Sequence, residues 1–410
     1  FDQNINMSLQ GTIGSKLRMN ATFDNNNSFD FENELKVEFS GLESDIIKSL
    51  EIGNVSMPIA NSLIAGGQNL FGFKTQLQFG RLFVTALAAS QRGTSESIEV
   101  EGGVQRNEFQ IRASDYDENR HFFLSQYFRD NYENWNRSIP AIISGLQISR
   151  VEVYVLNRTN NTQTLRNFVG FMDLGEGNTF QTGNAFVGTG QGNTPTSNGA
   201  NSLFSNLQTN PSLRQADQVS TILENQHSLE KGQDFERVTG ARKLDPTEYS
   251  FNRELGFVSL NRQLQNDEVL AVSYEYNLNG RNFKVGELSE DYQNRTEDEV
   301  IFLKMLRPSK INTQVPTWDL MMKNIYNLNA AGIDRQSFQA RVIYRDDDTG
   351  IDNPSLHEGE NTKDIPLIEL MGLDRLNQNG DPQKDGNFDY VEGITIDPDR
   401  GYIIFPFLEP

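Results

Sequence analysis

From Ile5 to Phe23 the chain alternates between apolar and polar residues. Ile5, Met7, Leu9, Ile13, Leu17, Met19, Ala21 and Phe23 take the odd positions, and Asn6, Ser8, Gln10, Thr12, Lys16, Arg18, Asn20 and Thr22 take the even ones. A period of two is the mark of a β-strand with one greasy and one wet face. After the turn-rich "DNNNS", Phe29, Phe31, Leu35, Val37 and Phe39 alternate with Asp30, Glu32, Glu34, Lys36 and Glu38, which predicts a hairpin. "FKTQLQFGRLFVTALAASQ" predicts a second hairpin turning near Gly80, and "EFQIRAS" alternates again. The first parity persists through nineteen positions if Gly11, Gly14 and Ser15 form a bend or a hairpin tip. Soluble strands run to about 5–6 residues, so this favours a tall sheet. The pattern alone does not say what wets the greasy face. A soluble sandwich turns it to a core, whereas a membrane barrel turns it to lipid.

At Asp115 the character changes. "DENRHFFLSQYFRDNYENW" places Phe123, Leu124, Tyr127 and Phe128 at helical spacing behind an acidic first turn at Asp117 and Glu118, and the strand "SRVEVYVLN" follows. Residues 175–211, rich in Gly, Asn and Thr, read as a mobile loop. Beyond 212, "YSFNRELGFVSLNRQLQNDEVLAVSYEYN" reads as strands joined by polar turns. "TEDEVIFLKML" and "PTWDLMMKNIYNL" read as amphipathic helices, the second capped by Thr317 with Trp318, Met322 and Ile325 on one face. "FNRELGFVSL" and "IDPDRGYIIF" echo one another, each placing a polar turn, then Gly256 or Gly401, then an aromatic residue that opens an apolar strand. The expected organisation is therefore wall-like strands and hairpins over 1–114, a helix-strand transition over 115–174, the loop over 175–211, and an α+β region over 212–410. The segment starts at Phe1 without an initiator Met or signal region and reads as a piece of a longer protein.

Charge and composition narrow the function classes. With 36 Lys plus Arg against 56 Asp plus Glu, the net charge of -20 argues against a nucleic-acid partner. The chain has 0 cysteines, which excludes thiol catalysis, disulfide scaffolds and cysteine-ligated zinc. No run of apolar residues is long enough for a spanning helix, but a spanning strand needs only about 9–11 residues with one apolar face.

Candidate chemistry is sparse. In "DPQKDGNFDYVE" the spacing of a calcium-binding EF-hand loop is met by Asp381, Gln383, Asp385, the Asn387 carbonyl, Asp389 and Glu392, with Gly386 at the sharp turn. Gln383 replaces the usual Asp or Asn and points to weak structural calcium; the competing reading is an acidic surface turn that binds nothing. The upstream "IPLIELMGLDRL" reads as a helix and the downstream "GITIDPDRGYIIF" as strand. His121, His227 and His357 lie outside metal spacing of one another, and the aromatics of "HFFLSQYF" read as core rather than as a ligand platform. No HExxH, GxSxG or Walker sequence occurs, so no catalytic residue is expected and the chain does not read as an enzyme.

Five stretches add a resemblance. "GTIGSKLRMNATFD", "IGNVSMP" followed by "LFGFKTQLQFGRLFVTAL", "YDENRHFFLSQYFRDNYE", "VPTWDLMMKNIYNL" and "GYIIFPFLEP" together resemble the SprA/Sov family, the outer-membrane translocon of the type IX secretion system. The family's members are several times longer, so one internal section is matched. The resemblance implies a mainly β fold, a very large antiparallel transmembrane barrel of about 36 strands with an α+β aqueous cap or insert. It also implies passage of folded cargo, a PorV-type barrel partner, a periplasmic plug protein, contact with the lipid bilayer and no chemistry of its own. On this reading 1–114 supply wall strands, and Ile5, Leu9, Ile13, Leu17, Met19, Phe31, Leu35, Val37 and Phe39 are candidates for the lipid or sheet-packing face. The rest faces the outside of the cell. The alternative is an extracellular calcium-stabilised β-rich adhesin or scaffold domain.

Overall fold

The computed structural model describes residues 6–13, 17–24, 34–40, 46–57, 67–79, 82–90, 109–156, 165–265, 267–296, 298–346 and 350–408. The chain divides into Phe1–Glu108 and Phe109–Pro410. Ile5, Lys16, Phe29, Phe31 and Gly80 lie outside the described residues.

In the first unit, strands β1 (Asn6–Ile13), β2 (Leu17–Asp24), β3 (Glu34–Ser40), β4 (Ile47–Met57), β5 (Gly67–Phe79) and β6 (Leu82–Ser90) form one antiparallel sheet in sequence order. The opening nineteen-residue parity is thus two strands, with Ile13 opposite Leu17. The short-loop hairpin "FKTQLQFGRLFVTAL" forms as its alternation demands, with Phe79 opposite Leu82. Register keeps like with like across the sheet. Met19, Val37, Ile52, Phe73 and Ala88 make one row of neighbours, while Arg18, Glu38, Glu51 and Lys74 make the next.

In the second unit the elements run β7 (His121–Phe123), α1 (Gln126–Trp135), β8 (Leu146–Leu156), β9 (Leu165–Phe171), α2 (Leu203–Thr209) and α3 (Val219–His227). Then come β10 (Phe235–Lys243), β11 (Tyr249–Asn252), β12 (Phe257–Leu260), β13 (Leu270–Leu278), β14 (Arg281–Val285) and β15 (Val300–Arg307). Last are α4 (Thr317–Leu320), β16 (Ile325–Asn327), β17 (Tyr344–Arg345), β18 (Asp352–Asn353), α5 (Leu367–Leu370), β19 (Ile396–Asp397) and β20 (Tyr402–Ile404). The fold is mainly β, with antiparallel sheets and short helices.

The pairings β8–β13, β13–β15, β15–β9, β9–β10 and β10–β8 return on themselves in a ring, in which only β15–β9 is parallel. Side chains fill its inside: Tyr154, Phe168, Val238, Ala241, Ala271, Ile301 and Leu303 are buried together, as in small closed sheets. A second cluster covers its outside, where Val169, Phe171, Phe235, Val300 and Phe302 meet Phe186, Val187, Leu203, Leu207, Leu213 and Leu223. Residues 175–211, expected as a mobile loop, therefore pack on the ring. Side-chain amides supply the order that apolar periodicity did not announce: Asn201 Nδ2 donates to the Asp173 and Glu176 carbonyls at 2.6 and 3.0 Å, and Asn184 Nδ2 donates to the His227 carbonyl at 2.6 Å.

Several helical expectations are corrected. "TEDEVIFLKML" contains β15, buried along its whole length because it pairs on both edges and packs on both faces. "PTWDLMMKNIYNL" gives only the one turn of α4, with Pro316 rather than Thr317 at its cap, and then the strand β16. "IPLIELMGLDRL" gives only the turn α5. The aromatic helix starts at Gln126, not near Asp117. Ser125 accepts from the Phe128 amide at 3.4 Å, and Phe128, Tyr132 and Trp135 form its buried stripe. Phe109–Arg112, read as strand, form none among the described residues.

The hairpin echo is real. β11–β12 and β19–β20 each turn through four residues, 253–256 and 398–401. In each the last is a glycine in the left-handed region, Gly256 at φ 71° and Gly401 at φ 72°. Each glycine amide bonds the carbonyl four residues back, on Asn252 at 3.1 Å and on Asp397 at 2.8 Å. Each hairpin also takes a third strand on its second arm, β7 on β12 and β16 on β20.

Candidate functional site

On β4 to β6, where their side chains are described, the first sheet leaves apolar side chains open on one face. On the apolar side Ile52 is 47%, Phe73 46% and Leu82 61% exposed, with Ile47, Phe79 and Val84 also open. On the opposite side Lys74 pairs with Glu51 at 3.5 Å, and their side chains are only 12% and 17% exposed. Apolar surface left in water forgoes about 25 cal/mol for each Å² that burial would gain. No helix among the described residues is long and apolar enough to cross a membrane.

The acidic loop is built differently from a metal site. Asp381, Gln383, Asp385, Asn387 and Glu392 are exposed and Asp389 is buried. The Asp389 carboxylate accepts from the Arg375 amide at 2.5 Å and from the Leu376 amide at 3.1 Å, while Asp385 Oδ1 accepts from the Asn387 amide at 3.0 Å. Asp381 Oδ2 is 3.3 Å from Asn377 Nδ2. Asp374, which sequence spacing did not single out, accepts from the Asp385 and Gly386 amides, both at 3.0 Å. Burial leads a rise of the Asp389 pKa above its ordinary value. Among the described residues no three acidic or histidine side chains gather where they could hold an ion. As arranged, the loop donors do not converge on a cation.

One constellation was missed because its members are 138 residues apart. His121 lies between Ser259 Oγ, 2.7 Å from Nδ1, and Asp117 Oδ2, 3.0 Å from Nε2. The residue types are those of a hydrolytic triad. The setting is not: His121 and Ser259 are a directly opposed cross-strand pair of β7 and β12, both buried. The remaining histidines are apart, His227 stacked 3.8 Å from Phe186 and His357 exposed beside Asp364 at 3.1 Å. Phe122, Phe123 and Phe128 are core.

Comparison with known proteins gives one match and one blank. The family model SprA_N, described as a motility related/secretion protein, matches residues 1–260. No curated protein matches the chain. The match spans strands β1 to β6, the ring strands β8, β9 and β10 and the first of the two echoed hairpins; the chain belongs to the SprA family of motility-related and secretion proteins.

Proposed function

We propose that residues 6–90 form part of the wall of a large transmembrane β-barrel in the outer membrane, and that the chain is a section of the type IX protein-conducting translocon. The observation that carries this is the apolar face left open on β4 to β6, backed on the other face by the Lys74–Glu51 pair. Lipid would cover Ile52, Phe73 and Leu82, and an aqueous conduit would hydrate the row of Arg18, Glu38, Glu51 and Lys74. The mixed signs in that row compensate one another, so the water-facing side presents little net charge to a passing protein. A folded cargo of 100 residues has a radius of gyration of about 13 Å, which requires a pore far wider than a ring filled by side chains. Residues 109–408 would then stand in water as a cap or insert. The partners are those the resemblance implies: a PorV-type barrel, a periplasmic plug, secreted cargo and the bilayer. The reading routes nothing through calcium.

The stretch contains 0 cysteines, which makes labelling direct. In the full-length protein in outer-membrane vesicles, a thiol at Ile52→Cys is expected to resist a membrane-impermeant maleimide and to react after detergent extraction. One at Gln76→Cys, on the opposite face, is expected to react in both states. Equal reactivity at both positions before extraction would overturn the wall assignment.

A further inference from the structure

The two echoed hairpins meet at a single buried ring. His121, on β7, is 1% exposed. With Asp117 ionised, Nε2–H donates to its carboxylate and Nδ1 accepts from the Ser259 hydroxyl. From β20, Tyr402 meets the imidazole edge-on at 5.0 Å between ring centroids. Arg120 Nη1 donates to Asp117 Oδ2 at 3.0 Å and to the Tyr402 hydroxyl at 2.8 Å, so it ties β7 to β20 across 282 residues. Arg400, in the β19–β20 turn, bonds Ser250 Oγ on β11 and acts on His121 electrostatically. The stretch before β16 adds Met321, bridged to Phe122, and Met322, whose amide donates to the His121 carbonyl at 2.9 Å; neither carries charge.

The charges around the ring do not balance. Two guanidiniums act on the ring: Arg120, which already takes up the Asp117 carboxylate, and Arg400, exposed in its turn with its backbone amide on Asp397. Arg120 Nε is buried without an acceptor among the described residues, so donors outnumber acceptors before any proton is added. A protonated His121 would give a second cation to the Asp117 carboxylate and turn Nδ1 from acceptor to donor, so the Ser259 O–H proton must swing to another acceptor. An uncompensated buried charge is relieved most cheaply by letting water in.

We propose that this knot is an acid-released latch: protonation of His121 frees the β19–β20 hairpin, with the β16 strand paired to it, from the β7–β12 pair. Burial, ahead of every other influence, pushes the His121 pKa below its usual range. The sign follows. The unfolded ring titrates near 6.5, so the closed latch is fully favoured above about that pH and loses its advantage as pH falls below it.

Hydrogen exchange followed by mass spectrometry on the full-length protein in detergent tests this, with rates corrected for intrinsic pH dependence. Between about pH 7.5 and about pH 5, peptides covering 396–405 are expected to exchange roughly tenfold faster while those covering β15 hold. His121→Gln is expected to abolish the response. Arg400→Gln, which removes one of the two cations, is expected to move release to lower pH. A wild-type response absent from 396–405, or one that persists in His121→Gln, overturns the latch. Should His121→Gln fail to fold, an unchanged midpoint in Arg400→Gln overturns it equally.

Discussion

Arg214 shows what a single residue does here. It grips Glu287 with Nη1 and Nη2 at 2.6 and 2.7 Å and lies 3.7 Å over the Phe302 ring. Both partners are buried, and Glu287 Oε2 also accepts the Phe302 amide at 2.9 Å. The pair pins the covering segment onto the ring. Lys304 does the same at the segment's other end, pairing with Glu176 at 2.7 Å. Replacing one member of a buried pair strands the other. Glu287→Leu is therefore expected to cost about 3–5 kcal/mol, read as a lower denaturant midpoint with an unchanged slope. Joining it to Arg214→Met should recover most of the loss. A single-variant cost below about 1 kcal/mol would mean that water reaches the guanidinium. None of this was legible in the sequence, because the partners are 73 residues apart and no spacing rule joins them.

Elements were legible where one face of a strand is open, and illegible where both are covered. β1, β2, β3, β5 and β6 follow from alternation because their two faces differ, whereas β4, interrupted by bulges, was not read from it. β15 does not alternate. Each of its residues is buried, so Val300–Leu306 reads as an apolar run that a helix would fit equally well. The arrangement of the acidic loop was not legible, for another reason. Its spacing matches a calcium loop, but Asp389 and Asp374 turn inward to cap backbone amides, a choice the order of residues does not encode. The echoed hairpins were legible because glycine announces the left-handed position. There the cost of a side chain should differ between copies. A Cβ on Gly256 would come within 2.6 Å of the core ring of Phe128, whereas on Gly401 it would come within 1.7 Å of the Ala330 carbonyl oxygen, a backbone atom. Both glycines sit at positive φ, so Gly256→Ala should lose about 1–3 kcal/mol and Gly401→Ala more, in paired thermal melts. Equal losses would show that the Ala330 backbone yields.

At the scale of the whole chain, two sheets solve opposite problems. The ring of β8, β9, β10, β13 and β15 buries its apolar residues on both faces, while β4 to β6 leave apolar residues of the first sheet open. If lipid covers the open side, a cation there should cost about 2–4 kcal/mol at mid-bilayer depth, and one on the other side close to nothing. Phe73→Arg is thus expected to lower the folded fraction in outer membranes on heat-modifiability gels, and Thr85→Arg to leave it unchanged. Matching losses would place both faces in the same solvent. The ring has its own answer to an exposed border. At the margin of β14, Asn198 gives its backbone amide to the Lys284 carbonyl at 2.8 Å, its side-chain nitrogen to the Gly286 carbonyl at 3.1 Å, and takes the Gly286 amide at 2.8 Å. One asparagine thus impersonates an adjoining strand. An extended polypeptide brushing past finds those hydrogen-bonding groups already spoken for.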